Sequence, residues 1–153
     1  MFKSLIKVIS TFFYTGYFPL IPGTAGSIAG LGIYFLIKNN VFVYCLTLAG
    51  LLILGFWASG RQEQLMQKKD PSCVVIDEVC GMLLSLIFLP YNIKLVIIAF
   101  LIFRILDTLK PFPVGRLERM KGGPGIMLDD IAAGLYTNII LQVVVICTSF
   151  RAS

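Results

Sequence analysis

The chain contains no histidine and little charge for its length. Of its 153 residues, 14% are charged and 58% are apolar, against about 25% and 45–50% in typical soluble domains. The absence of histidine excludes histidine nucleophiles, histidine general bases and histidine metal ligands. The excess of apolar residues favours an integral membrane protein over a soluble one.

The sequence also lacks the cysteine spacing of a zinc site and the pattern of a cleaved signal peptide. Its four cysteines, Cys45, Cys73, Cys80 and Cys147, form no CxxC pair, and we expect them to be reduced and inert. Residues 1–7 are too few and too charged for a signal peptide. We therefore expect every hydrophobic segment to remain in the mature protein.

Five apolar segments organise the chain, separated by polar breaks. They cover residues 24–37, 41–59, 74–89, 93–106 and 131–150. At a rise of 1.5 Å per residue, only the second and the fifth comfortably reach the roughly 30 Å of a bilayer's hydrocarbon core. We predict an all-α, compact helical integral membrane protein, a single domain over residues 1–153, with about four to five hydrophobic helices, some short or re-entrant.

The basic residues predict how these segments are oriented. If all five cross in alternation, the N-terminus and the loops 61–71 and 110–130 share one side. That side carries ten of the thirteen basic residues and all eight acidic ones. The positive-inside rule places it in the cytoplasm, so every polar cluster gathers at one cytoplasmic face.

Five of the eight acidic residues form three clusters at the ends of apolar segments: Asp77-Glu78, Asp107 and Asp129-Asp130. A carboxylate at the centre of a bilayer costs roughly 2.5–3.5 kcal/mol. We therefore expect these clusters to lie at a membrane edge or to be neutralised by a bound cation. For either pair alone, stabilisation of the first turn of a helix is the plain alternative.

A glycine accompanies each acidic pair on the same helical face. Gly81 follows Asp77 by four residues, and Gly134 follows Asp130 by four. Small residues allow two helices to approach closely, which would bring the two pairs together. Oxygen ligands without histidine or a thiolate pattern favour a hard cation, Mg²⁺ first.

Two basic side chains lie at the end of the fourth apolar segment. Pro111 biases Lys110 away from helical geometry, so the helix should end near Leu109 and hold Lys110 next to Asp107. Arg104 and Lys110 are candidates to neutralise a phosphate. A helical ion pair between Arg104 and Asp107, and snorkelling of both cations to the interface, are the alternatives.

Two stretches of small residues come before or at the start of apolar segments. Residues 22–27 open the first apolar segment, where exposed N–H groups and the helix dipole form an anion site. Thr24 and Ser27 are candidate phosphate ligands there, and a simple helix cap is the alternative. Residues 122–125 contain three glycines, and we predict a flexible loop or turn.

Taken together, these blocks resemble the phosphatidylglycerophosphatase A family of bacterial membrane lipid phosphatases. The matching blocks are residues 18–27, residues 76–82, Phe-Arg-Ile-Leu-Asp-Thr-Leu-Lys-Pro-Phe-Pro at 103–113, and Gly-Gly-Pro-Gly-Ile-Met-Leu-Asp-Asp-Ile-Ala-Ala-Gly at 122–134. They occur in the family's order and at similar spacing. Two stretches depart from its pattern, residues 14–17 and the segment around Glu118, and neither is given a role.

The resemblance implies Mg²⁺-dependent hydrolysis of phosphatidylglycerophosphate to phosphatidylglycerol and inorganic phosphate, at the cytoplasmic face of the bacterial inner membrane. The expected partners are this lipid and the surrounding membrane lipids, not nucleic acid, and the oligomeric state stays open. A small transporter or channel subunit, whose interfacial carboxylates bind cations, is the alternative.

Roles for individual residues come with the resemblance. The predicted catalytic residues are all carboxylates: Asp77, Glu78, Asp107, Asp129 and Asp130. All of them except Asp107 are assigned as metal ligands, one of which would also act as base on the attacking water, and Asp107 is either a further ligand or an orienting group. The predicted phosphate ligands are Thr24, Ser27, Arg104 and Lys110. Water and a carboxylate both stay open as the attacking nucleophile.

Overall fold

The computed structural model describes residues 2–112 and 114–151, and every regular element among them is helical. Pro113, which ends one of the predicted blocks, lies outside the described residues, as do both extreme ends of the predicted domain. The helices are α1 (Phe2–Ser10), α2 (Pro22–Ile37), α3 (Val41–Met66), α4 (Ile76–Leu86), α5 (Ile93–Leu109), α6 (Val114–Leu117) and α7 (Gly123–Arg151). The predicted all-α fold class is confirmed.

Two helices are long and apolar enough to cross a membrane. They are Val41–Met66, with a mean hydropathy of 2.2, and Gly123–Thr148, with 1.9. Their outer faces, like those of α2 and α5, expose large apolar side chains such as Leu36, Phe42 and Ile53. An apolar exterior of this kind is compatible with a helical membrane protein, in which lipid covers the surface.

Several helix ends follow directly from local sequence. The side chains of Asn40 and Asn92 accept hydrogen bonds from Val43 N–H and Lys94 N–H, which caps α3 and α5. Helix α5 ends at Leu109, as predicted from the proline that follows. Lys110 then adopts a left-handed conformation with φ 45° and ψ 58°.

The structure contains one helix for which the sequence gave no prediction, and it differs from two other predictions. The helix without a prediction is α1, which is short. It buries Ile6 and Ser10 against the bundle. Helix α3 continues seven residues beyond the predicted end at residue 59.

The predicted loop at residues 122–125 is instead the start of α7. Only Gly122 has a positive φ, of 75°, and Gly123 to Gly125 are helical. A β-carbon at Gly123 would collide with the carbonyl of Phe56 in α3, and one at Gly125 with the carbonyl of Met120. These two glycines therefore provide close packing, and Pro124 is tolerated because the first turn has no intrahelical partner for its N–H.

Helix α4 is the centre of the bundle. Nine of its 11 residues are buried, and it packs against α2, α3, α5 and α7. Because α2 to α5 and α7 alternate in direction, the starts of α2, α4 and α7 lie at the same end as the close of α5. The acidic clusters are therefore brought to one end of the bundle.

Glycines set the distance between the central helix and its neighbours. A β-carbon at Gly81 would lie 2.6 Å from the Phe103 ring and 2.8 Å from the Asp130 carbonyl oxygen, and one at Gly134 would collide with the carbonyl of Gly81. Gly30 of α2 likewise faces Met82 and Val79 of α4 at 3.0 Å. The close approach predicted for Gly81 and Gly134 is present between α4 and α7.

Candidate active site

A cavity of about 230 Å³ opens at the end of the bundle where the acidic clusters meet. Six carboxylates and two cations contribute to its wall. The lining residues are Pro22, Gly23, Asp70, Ser72, Val74, Asp77, Glu78, Arg104, Asp107, Lys110, Asp129 and Asp130. The carboxylates outnumber the cations, so the wall needs further positive charge or bound protons.

Three carboxylates form a compact group in this cavity. Oxygen atoms of Asp77, Glu78 and Asp130 all lie within 4.8 Å of one another. Asp77 is 7% exposed and Asp130 only 3%. Asp77 Oδ1 and Glu78 Oε2 are buried, and the described residues give neither a hydrogen bond. We call these three residues the acidic trio.

The acidic trio fits a hard divalent cation. Asp77 and Asp130 are buried, and burial disfavours the charged form of a carboxyl group. Ionised carboxylates held this close repel, at roughly 4 kcal/mol for a 4 Å pair at an effective dielectric of 20. A cation bound between them removes both costs, and an all-oxygen donor set is the one that Mg²⁺ and Ca²⁺ prefer.

Asp129, the fourth predicted metal ligand, lies outside the trio and binds a lysine. Its Oδ2 accepts a hydrogen bond from Lys110 Nζ at 2.9 Å, and Lys110 also contacts Glu118 Oε1 at 3.0 Å. Burial lowers the pKa of Lys110, but hydrogen bonds to these two carboxylates outweigh it and raise the pKa above its ordinary value. Lys110 is therefore a fixed positive charge, and its partner is Asp129 rather than the predicted Asp107.

Asp107 pairs with Arg104 one turn earlier on α5. The guanidinium Nη1 lies 2.7 Å from Asp107 Oδ2 and donates to Ser27 Oγ at 3.4 Å. Ser27 is fully buried and in turn donates to the Gly23 carbonyl. The side chain of Arg104 is 24% exposed, so it is held by α2 and α5 while one edge faces the cavity.

The predicted phosphate ligands are only partly brought to the cavity. Arg104 and Lys110 line it, whereas Thr24 and Ser27 are not among its lining residues. Helix α2 begins earlier than these two residues, with Ile21 at its cap position and no side-chain cap. Gly23 reaches the wall instead, and a β-carbon there would lie 2.5 Å from Glu78 Oε1.

Three residues of this region were not predicted from the sequence. Asp70 and Ser72 line the cavity from the segment before α4, and Glu118 holds Lys110. The polar run after α3 gave no pattern that separates Asp70 from the other charged residues near it. Glu118 lies between two of the blocks that carry the family resemblance, and its contact with Lys110 is present only in the folded structure.

Comparison with known proteins gives a consistent result. The profile of the family described as Phosphatidylglycerophosphatase A matches residues 8–145. The chain is 36% identical to Phosphatidylglycerophosphatase A of Escherichia coli, over 84% of this chain and 77% of that protein. It is 32% identical to the protein of the same name from Haemophilus influenzae, over 89% of this chain and 86% of that protein.

A further relative carries a different name. A protein of Bacteroides thetaiotaomicron, provisionally named as a phosphatidylinositol-3-phosphatase, is 40% identical over 89% of this chain and 91% of its own length. No solved structure gives a significant match to the chain.

Proposed function

The chain belongs to the phosphatidylglycerophosphatase A family of phosphoric monoester hydrolases, and we propose that it hydrolyses phosphatidylglycerophosphate to phosphatidylglycerol and inorganic phosphate in phospholipid biosynthesis. The observation that carries the proposal is the acidic trio beside two fixed cations, in a cavity at one end of an apolar bundle. Metal, cationic groups and a nearby lipid surface are what a lipid phosphomonoester requires.

Asp77, Glu78 and Asp130 hold the metal in this proposal, and the metal is Mg²⁺. Their donor atoms are all oxygens, and two of those atoms are buried without a hydrogen bond from the described residues. When bound, Mg²⁺ supplies Lewis-acid stabilisation of the charge on the phosphoryl oxygens. The trio's rigidity comes from α4 and α7, which are in contact at Gly81.

The two cations bind and orient the phosphate. Lys110 and Arg104 each lie against a carboxylate, which fixes their side chains without neutralising all of their hydrogen-bond donors. Such preorganised charges stabilise negative charge that develops during reaction. Backbone N–H groups that open α2 at Gly23 add a neutral anion site at the same wall.

Asp129 is the carboxylate that we assign as the base. Its Oδ2 is held by Lys110, whereas its Oδ1 is buried and receives no hydrogen bond from the described residues. In this scheme Asp129 accepts a proton from the attacking water as the water oxygen bonds to phosphorus. The phosphorus–oxygen bond to the glycerol breaks, the glycerol oxygen leaves with the bonding electron pair and takes a proton from solvent water, and Asp129 returns its proton to solvent. Asp107 orients Arg104.

We place the cavity on the cytoplasmic side of the bacterial inner membrane. Ten of the thirteen basic residues belong to the segments at this end of the bundle, and positively charged loops stay in the cytoplasm. The substrate's acyl chains then lie in the inner leaflet against the apolar exterior, and its phosphate reaches the cavity at the interface.

A metal-dependent assay tests the proposal. Phosphate release from phosphatidylglycerophosphate by detergent-purified protein should require Mg²⁺, and Asp77→Asn or Asp130→Asn should lower the rate at least about 100-fold. The same variants should lose Mg²⁺ binding in calorimetry. Glu63→Gln removes an acidic residue outside the cavity and should have wild-type activity. Release without Mg²⁺, or full activity in folded Asp77→Asn protein, would overturn the proposal.

A second substrate is favoured by one specific observation, the name of the Bacteroides relative. Phosphatidylinositol 3-phosphate also carries a phosphomonoester on a lipid headgroup. The same preparation should therefore be assayed with both lipids. We expect the higher kcat/KM for phosphatidylglycerophosphate. A higher kcat/KM for phosphatidylinositol 3-phosphate would make that lipid the preferred substrate, and the proposed site would stay the same.

A further inference from the structure

A second cavity adjoins the carboxylate cavity. It has a volume of about 430 Å³, and Pro22 and Ser72 contribute to the walls of both. One side is formed by the segment between α1 and α2, and the other by the segment between α3 and α4. The two cavities are therefore neighbours, with Pro22 and Ser72 at their common border. We call the second one the side cavity.

The side cavity has a different chemical character. Its described wall contains the apolar or aromatic side chains of Tyr17, Phe18, Leu20 and Met66, together with the cation Lys68. Carboxylates are absent from this described wall, whereas six of them line the neighbouring cavity. The side cavity therefore favours an anionic group attached to apolar material.

Close packing builds the floor of the side cavity. A β-carbon at Gly16 would collide with the carbonyl of Cys73, so the two segments touch through their backbones. Nearby in sequence, Val75 N–H donates to the Ser10 carbonyl at 3.0 Å, a second backbone contact between these parts of the chain. The rim, in contrast, is open and apolar, because Leu20 is 98% exposed and Phe18 56%. An apolar rim of this kind can lie against lipid.

We propose that the side cavity binds the phosphodiester of the lipid substrate, with Lys68 paired to the diester oxygens. This inference rests on the proposed function. Phosphatidylglycerophosphate carries two phosphates joined by a three-carbon glycerol: the terminal monoester that is hydrolysed, and a diester that leads to the acyl chains. Two adjoining cavities, one for each phosphate, match that arrangement, and the apolar rim receives the start of the diacylglycerol.

Charge explains why the two phosphates are sorted in this way. The carboxylate cavity carries excess negative charge, and a phosphate is attracted there only with the help of metal and the two cations. The diester has a single negative charge and no metal partner, so it prefers a wall with a lysine and without carboxylates. Lys68 thus favours binding of lipids that carry a phosphodiester between the acyl chains and the terminal phosphomonoester.

Product inhibition separates the two cavities experimentally. Phosphatidylglycerol retains the diester and lacks the monoester, whereas inorganic phosphate represents the monoester alone. In Lys68→Ala protein, the inhibition constant of phosphatidylglycerol should rise about tenfold, the effect of one charge-assisted hydrogen bond. The inhibition constant of inorganic phosphate should stay within about twofold, and Lys68→Arg should restore phosphatidylglycerol binding.

The neighbouring lysine is the matched control. Lys69 is exposed like Lys68 but lines a different cavity, with Glu63 and Lys121. Lys69→Ala should leave both inhibition constants unchanged. If Lys68→Ala behaves as Lys69→Ala does, or weakens both inhibitors equally, the inference is wrong while the proposed function stands. If wild-type protein releases no phosphate from phosphatidylglycerophosphate, the proposed function fails first.

Discussion

Lys110 illustrates how one backbone conformation determines the chemistry of a residue. Its φ of 45° ends α5 in the left-handed region, which turns the side chain away from its own helix. The amine then reaches Asp129 on α7 and Glu118 beyond α6. Burial lowers the pKa of Lys110, but these carboxylates outweigh it and raise the pKa above its ordinary value, so Lys110 is charged at neutral pH and can bind phosphate.

Lys110→Met should abolish most of the activity. The substitution removes a phosphate-binding charge and leaves Asp129 without its hydrogen bond, so we expect kcat to fall about 100-fold or more. Phosphate release and circular dichroism melting should be measured together. Lys121→Met, at an exposed lysine outside the cavity, is the control. Wild-type kcat in folded Lys110→Met protein would contradict the role of this residue.

Helix α4 positions the acidic trio through its contact with α7. Asp77 and Glu78 occupy its first turn, and Asp130 lies on α7 immediately beside Gly81. The trio can form only if these two helices approach as closely as their glycines allow. The spacing of the carboxylates is therefore set by Gly81 and Gly134, which lie one helical turn after Asp77 and Asp130.

Gly81→Ala should weaken both stability and activity. Its methyl group would meet the Phe103 ring at 2.6 Å and the Asp130 carbonyl oxygen at 2.8 Å, and overpacking of this kind costs about 1–3 kcal/mol. We expect a lower unfolding temperature in detergent and weaker Mg²⁺ binding. Gly32→Ala is the control, since nothing lies within 4 Å of its added β-carbon. An equal response of the two variants would count against the packing argument.

The bundle as a whole is polar at one end and apolar around its sides. Both long helices expose apolar side chains along their outer faces, and the segments that surround the carboxylate cavity carry most of the charge. A molecule of this kind minimises its free energy with its sides in lipid and its charged end in water.

Thiol labelling tests the orientation. Single cysteines at Asn39 and at Lys121, in a chain whose own four cysteines are replaced, should react with a membrane-impermeant reagent from opposite sides. Lys121 belongs to the charged end and should be labelled only from the cytoplasmic side of inner-membrane vesicles. Both sites are exposed, so access is not limited by burial. Labelling of both from one side would exclude the alternating arrangement.

Local sequence was sufficient for most of the helices and for the resemblance to a phosphatase family. Hydropathy located the five apolar helices, Asn40 and Asn92 capped two of them, and a proline ended α5 near Leu109. Local hydropathy failed where packing overrides it: α1 is too short to stand out, and Gly123 begins α7 because α3 requires a residue without a side chain there.

The sequence by itself determined the all-α class, the resemblance to a lipid phosphatase family and the carboxylates at the ends of apolar segments, because hydropathy, propensity and motif order are local properties of the chain. Only the tertiary structure decided which carboxylates meet. In the folded structure Asp77, Glu78 and Asp130 lie close together, and Asp129 pairs with Lys110 instead. Asp70 lines the same cavity. Those contacts join residues from different elements, and the distance from Asp130 to Asp77 and Glu78 follows from how closely α4 and α7 pack.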